Sequence, residues 1–174
     1  MYLDWWDNER RFARLPALVA GLSVTDRMKL LDRDIDCRRP PTRGFALMSQ
    51  YDAHQAVTLA TEHPENPMAA DLIFDANTRL GLEALRGRDK QAAVQYLFAA
   101  TETRGSERLR YVGFTTELPR SLVDRGERSA VAEFLDRCVR FSSAERGRQL
   151  QDWASQIPKG TNPDLQPSNP AVVL

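Results

Sequence analysis

The residues able to do chemistry in this chain are few, and their spacing is the first test of each. His54 and His63 are the two histidines. Neither belongs to a His-Glu-x-x-His pair or another two-ligand spacing, so metal binding is not indicated. No acid–base partner follows from sequence distance either. His54 falls mid-helix as a surface or packing residue. His63, in "TEHPENP", falls near a helix C-terminus, where a protonated imidazole is favoured. Cys37 and Cys138 form no Cys-x-x-Cys and no zinc spacing. Two buried thiols in a reducing compartment are the favoured reading, with one long-range disulfide as the alternative. Ser106, Ser121 and Ser129 lack a Gly-x-Ser-x-Gly flank. Asp71 and Asp75, at i and i+4, put two carboxylates on one helix face, an arrangement suited to acid–base work or a cation. A solvated face balanced by Arg79 one turn later is favoured over both.

The stretch "ALRGRDKQAAVQYLFAA", residues 84–100, raises a phosphate question. A phosphate-cradling loop needs several glycines, so that consecutive N–H groups converge, and then Lys-Ser/Thr. Here there is Gly87 alone, and no hydroxyl follows Lys90. A corner between two helices, with Asp89 at a helix N-terminus, is favoured.

Binding residues are harder to read. Arg104, Arg108 and Arg110 surround Tyr111, and Arg137, Arg140, Arg146 and Arg148 follow, a set able to hold RNA or an acidic partner. Against an RNA site, Glu102, Glu107, Asp136 and Glu145 lie among them. The chain also carries 24 basic and 24 acidic residues, so no global field recruits nucleic acid or anionic lipid. Trp5 and Trp6 in "YLDWW" are either a partner site or the capping of an open end. Asn77 sits on a helix side that should face a neighbour, where a buried amide must find partners. It is expected to bond an adjoining hairpin or loop.

These side chains must be carried by helices, because apolar residues recur at three and four and almost never alternate. Asp4 starts a helix over 4–13. "SVTD" at Ser23 resembles a capping box and opens a second, which "CRRPPTRG" stops. A third covers 45–62, with Tyr51, Ala53, Ala56 and Leu59 on its buried side. Four more follow over 68–86, 89–103, 115–125 and 127–141. A last helix opens at "SSAE", residues 142–145, and carries Leu150, Trp153 and Ile157 as one stripe. From Pro158 onward, proline, glycine and polar residues predict a flexible tail. The N-terminus "MYLDWWDNERRF" has no apolar signal core, and the longest apolar run, "LPALVAGL", is far below spanning length. A cytoplasmic protein is expected.

Residues 80–100 repeat at an offset of 38. Leu80 meets Leu118, Ala84 meets Leu122, and Asp89 meets Glu127. Ala93 meets Val131, Tyr96 meets Phe134, Leu97 meets Leu135, and Ala100 meets Cys138. Helical spacing on both sides of one corner describes a repeated hairpin, and one hairpin cannot bury both apolar faces alone. Leu80-Gly81, Ala84, Ala93, Leu97 and Ala100, with Gly126 at the second corner, resemble a tetratricopeptide repeat. Arg88 replaces the turn glycine in the first copy, Pro119 stands in helix A of the second, and the period exceeds the family's roughly 34 residues. "DANTRLGLEALRGRD", "YLFAATETRGS", "RGERSAVAEFLDRCVRF" and "LQDWASQI" resemble a group of uncharacterised bacterial proteins with such hairpins, over about residues 71–157.

The resemblance implies an all-α protein, a short α-solenoid of tetratricopeptide-like hairpins. An N-terminal helical cap (1–62), hairpins with a closing helix (67–157) and the tail (158–174) would make one compact unit. It implies a non-catalytic module binding a protein or peptide segment on the helical surface, with Asn77, Arg79, Glu83, Arg86, Glu117 and Arg120 on the groove face beside Trp5 and Trp6. A dedicated immunity or antitoxin-type partner and an RNA-binding helical repeat are the alternatives. No cofactor, metal or membrane contact is expected.

Overall fold

The computed structural model describes residues 21–35 and 43–165, and all regular structure among them is helical. The α-helices are α1 Val24–Asp34, α2 Arg43–Glu62, α3 Ala69–Arg86, α4 Lys90–Ala100, α5 Glu117–Val123, α6 Arg128–Cys138 and α7 Ala144–Gln156. A π-helical turn, Arg108–Val112, precedes α5, and 3-10 turns at Val139–Phe141 and Ile157–Lys159 follow α6 and α7. The expected helix over 4–13, Trp5, Trp6 and Cys37 lie outside the described residues.

Local chemistry sets the helix starts. The Ser23 hydroxyl oxygen accepts from the Asp26 N–H at 3.1 Å, and Asp89 accepts from the Ala92 N–H at 2.9 Å. The last cap is one residue later than the "SSAE" pattern predicts. Ser143 accepts from the Arg146 N–H at 3.3 Å, while the Ser142 hydroxyl donates back to the Cys138 carbonyl at 2.9 Å. Ser142 therefore closes one helix and its neighbour opens the next.

α3 is the wall between two cores. Leu72, Ala76 and Leu80 face Met28, Ile35, Ala53, Ala56 and Leu59 of α1 and α2. Phe74, Leu82 and Leu85 face Leu97, Leu118, Leu122, Phe134, Leu135 and Trp153. α3 packs most extensively on α2 and α4, with α1 and α5 against it as well. Tyr51, expected inside, is 46% exposed, because Asp52 and Ala53 take the inward positions of α2. The segment expected to be a flexible tail is packed as far as Leu165, which is buried. Thr116 donates its hydroxyl to the Leu165 carbonyl, and Arg128 bonds the carbonyls of Ile157 at 3.1 Å and Thr161 at 3.2 Å. No described helix is long and apolar enough to cross a membrane.

Candidate functional site

The connection between α4 and α5 has no helical period in sequence, yet its backbone is tied down at every second or third residue. The Thr103 hydroxyl donates to the Ala70 carbonyl at 3.2 Å, and the Gly105 N–H donates to Thr103 Oγ1 at 3.3 Å. Gly105 has φ +82, and a Cβ there would collide with the Phe141 Cβ, so glycine is required twice over. Ser106 donates its hydroxyl to Asp71 and accepts from the Leu109 N–H at 3.0 Å. Leu109 is fully buried, which plugs the π-helical turn into the larger core. The Ser143 N–H donates to the Arg110 carbonyl at 3.3 Å, and Arg140 bonds the Thr101 carbonyl.

Arg108 is the central clamp. Its Nε lies 3.1 Å from Asp71 Oδ2, and its Nη2 lies 2.6 Å from Asp75 Oδ2. The two aspartates are thus not a solvated face balanced by Arg79. They are the receptor for an arginine from another segment. Burial pushes the Asp75 carboxyl up to about 6, against the pull of Arg108 and with help from Asp32 and Asp71. Burial also disfavours the Arg108 charge, but the Asp75 and Asp71 carboxylates outweigh it and hold the guanidinium above its usual value. Beside the clamp is an open recess of about 380 Å³ lined by Asn66, Asp71, Arg104, Ser106, Glu107 and Arg108. Beyond it Tyr111 and Val112 stand 66% and 69% exposed on the fixed turn. An apolar pair held out on ordered backbone can be covered by a partner without first being ordered.

The residues expected on one groove face are not brought together. Asn77 is buried, and its amide donates to the Ile73 carbonyl of its own helix at 2.8 Å, not to an adjoining hairpin or loop. Arg79 is fully buried, with Nε 3.4 Å from Glu83 Oε1. The physical reason is the position of α3: helices cover the side that would have formed a groove. Glu83 turns instead to Arg79 and Arg86, which sits at the exposed end of α3. Glu117 and Arg120 are exposed on α5, with Arg120 Nη2 3.8 Å from Asp164.

The arginines also divide. Arg137 pairs with Glu133 at 2.6 Å and lies 4.5 Å over the Phe98 ring. The Arg146 guanidinium lies over Phe114 and Trp153, 5.8 and 5.2 Å from the ring centroids, and burial lowers its pKa. Arg104 and Arg110 are exposed and form no ion pair with a described residue. Of the candidate nucleophiles, Cys138 is buried and its thiol is pushed far above the usual range. His54 meets the edge of Tyr96 at 6.5 Å, and His63 Nδ1 lies 3.4 Å from Glu65. Among the described residues no group of three His, Cys, Asp or Glu side chains is placed to hold a metal ion.

The connection at 101–113 was the part that sequence reasoning missed. Its one signal was the cluster Arg104, Ser106, Arg108 and Arg110 around Tyr111, without any hint of which arginine turns inward. No protein-family model, curated protein or solved structure matches the chain.

Proposed function

We propose that the protein is a non-catalytic protein-interaction module of tetratricopeptide-like helix pairs that binds an acidic protein segment on the surface of the 104–112 connection. One observation carries the reading: Tyr111 and Val112 are two-thirds exposed on a turn immobilised by Leu109 and by the Arg108 clamp. Large apolar side chains on a pre-ordered backbone are the usual anchors of protein interfaces, and tyrosine is enriched among them. Arg104 and Arg110 are exposed on the same connection and have charge to offer an acidic partner, which gives orientation and association rate. The helix-pair repeat at 38 residues supports the tetratricopeptide-like description. An RNA surface is disfavoured because Arg108, Arg137, Arg140 and Arg146 are engaged within the fold.

The test is affinity capture of the tagged chain from its native cell, with mass spectrometry, against the double variant Tyr111→Ala/Arg110→Glu. A stoichiometric protein captured by the wild type and lost from the variant is the expected result. Equal capture by both, or nuclease-sensitive capture, overturns the reading.

A further inference from the structure

The corner between α3 and α4 has the hydrogen bonds of a helix stop, and its copy 38 residues on has the same ones. The Arg88 N–H donates to the Leu85 carbonyl at 3.1 Å and the Asp89 N–H to the Ala84 carbonyl at 2.9 Å. At the second corner the Gly126 N–H donates to Val123 at 3.0 Å and the Glu127 N–H to Leu122 at 2.9 Å. This pattern needs a left-handed residue at its centre, which glycine supplies without steric cost. Gly126 has φ +88; at the matching position stands Arg88, with φ +63, among the described residues the one non-glycine with positive φ. The backbone strain brings no packing in return, because the Arg88 side chain is exposed and makes no ion pair with a described residue.

What surrounds Arg88 gives the strain a purpose. Arg86, Lys90 and Arg125 join it around an open recess of about 460 Å³ floored by Leu85. The two corners are held together by Lys90 Nζ, 2.7 Å from Glu127 Oε1, which brings Arg125 of the second corner beside the first. Glu83 holds Arg86, and Asp89 is committed to capping α4. Arg125 gives one guanidinium nitrogen to the Ser121 carbonyl at 2.8 Å, and Asp124 is its exposed sequence neighbour. Two guanidinium groups, those of Arg88 and Arg125, therefore enter the recess without a carboxylate paired to them.

We infer that this double corner binds a compact phosphate-rich anion of at least two linked phosphate groups, through the guanidinium groups of Arg88 and Arg125 with Arg86 and Lys90 in support. Planar guanidinium forks match phosphate oxygens two at a time, and the recess is larger than one phosphate needs. No aromatic side chain lines it, so the phosphates themselves are the recognised element, whether free or carried on a nucleoside. The site is far from the 104–112 connection in composition and role, and stands whether or not that surface binds a protein.

The experiment uses the full chain and sodium pyrophosphate, by titration calorimetry and thermal unfolding at constant ionic strength made up with chloride. Expected is a saturable rise in Tm and a measurable heat for the wild type. Arg125→Ala should keep the unliganded Tm and lose at least five-fold in affinity. Arg88→Gly should unfold at a higher temperature without ligand and also lose at least five-fold, an opposition of signs that loss of folding cannot imitate. ADP should bind within a few-fold of pyrophosphate. A rise in Tm that does not saturate, or one equal in all three proteins, overturns the proposal. ADP binding more than tenfold tighter overturns the assignment to phosphate groups.

Discussion

At the N-terminal end of α3, Asp71 and Asp75 are drawn out of water and met by Arg108 and Ser106. At its C-terminal end, Arg86, Arg88 and Lys90 are left facing outward around a recess. Asp71 near the start of α3 and Arg86 at its finish both suit the helix dipole, which favours acids at the start and bases at the finish, whereas Lys90 opens α4 against it. The dipole therefore does not distinguish them; desolvation does. The acidic end spends its charge on holding a neighbouring segment in place; at the basic end Arg86 and Lys90 are paired with Glu83 and Glu127, while Arg88 keeps its charge available. The first reads as architecture and the second as a place for something else.

The largest effect should come from the acidic end. Gly105→Ala has to adopt a left-handed backbone and place a methyl against Phe141, so we expect a loss of about 3 kcal/mol in chemical denaturation. Arg108→Ala strands Asp75 half in the interior and unties the π-helical turn, a loss of about 2 kcal/mol by the same measurement. If it costs nothing, the clamp is ornamental and the contrast between the two ends fails.

A pH series sharpens the comparison. The Asp75 carboxyl has its pKa raised on folding from 3.8 to about 6, so the folded chain holds that proton more tightly than the unfolded one. The stability this gives is present below the unfolded value and lost as pH rises through the folded one. Asp75→Asn should therefore gain on the wild type between pH 4 and 7, by about 1–2 kcal/mol, read as the difference between the two curves of Tm against pH. A constant difference would mean that Asp75 titrates normally. The smallest effects belong to the basic end. Arg88→Gly should stabilise by about 0.5–1 kcal/mol, and Gly126→Arg should destabilise by a similar amount, because the same backbone is asked of both positions. Equal signs would show that the corners are not equivalent.

Much of the fold was legible because it is local. Caps at Ser23 and Asp89, proline stops and the apolar period each act within a turn or two of sequence. The corner equivalence of Arg88 and Gly126 was also legible, since a repeat aligns like with like. The rest was not, for two physical reasons. Arg108 finds Asp75 across 33 residues, through a connection whose π-helical turn has no period to read. Asn77 was expected to be buried, but its amide bonds its own helix at Ile73. Arg79 looks like a surface residue by type, and its burial follows from helices packing on several sides of α3, a tertiary fact that no single helix encodes. The recess at the basic end is likewise made by Arg125 arriving from a second corner.

The strap that ties Leu165 to Thr116 has a bearing on the order in which a growing chain can finish. The two residues are 49 apart, whereas the contacts of α3 with α4 close almost as soon as both have been made. At a synthesis rate on the order of 10 residues per second, the site that Leu165 fills stays open for seconds after α5 has emerged. In the earlier part of that interval Arg128 also lacks its three acceptors at Ile157, Thr161 and Asn162. The core around α5 is closed only once Leu165 can reach Thr116.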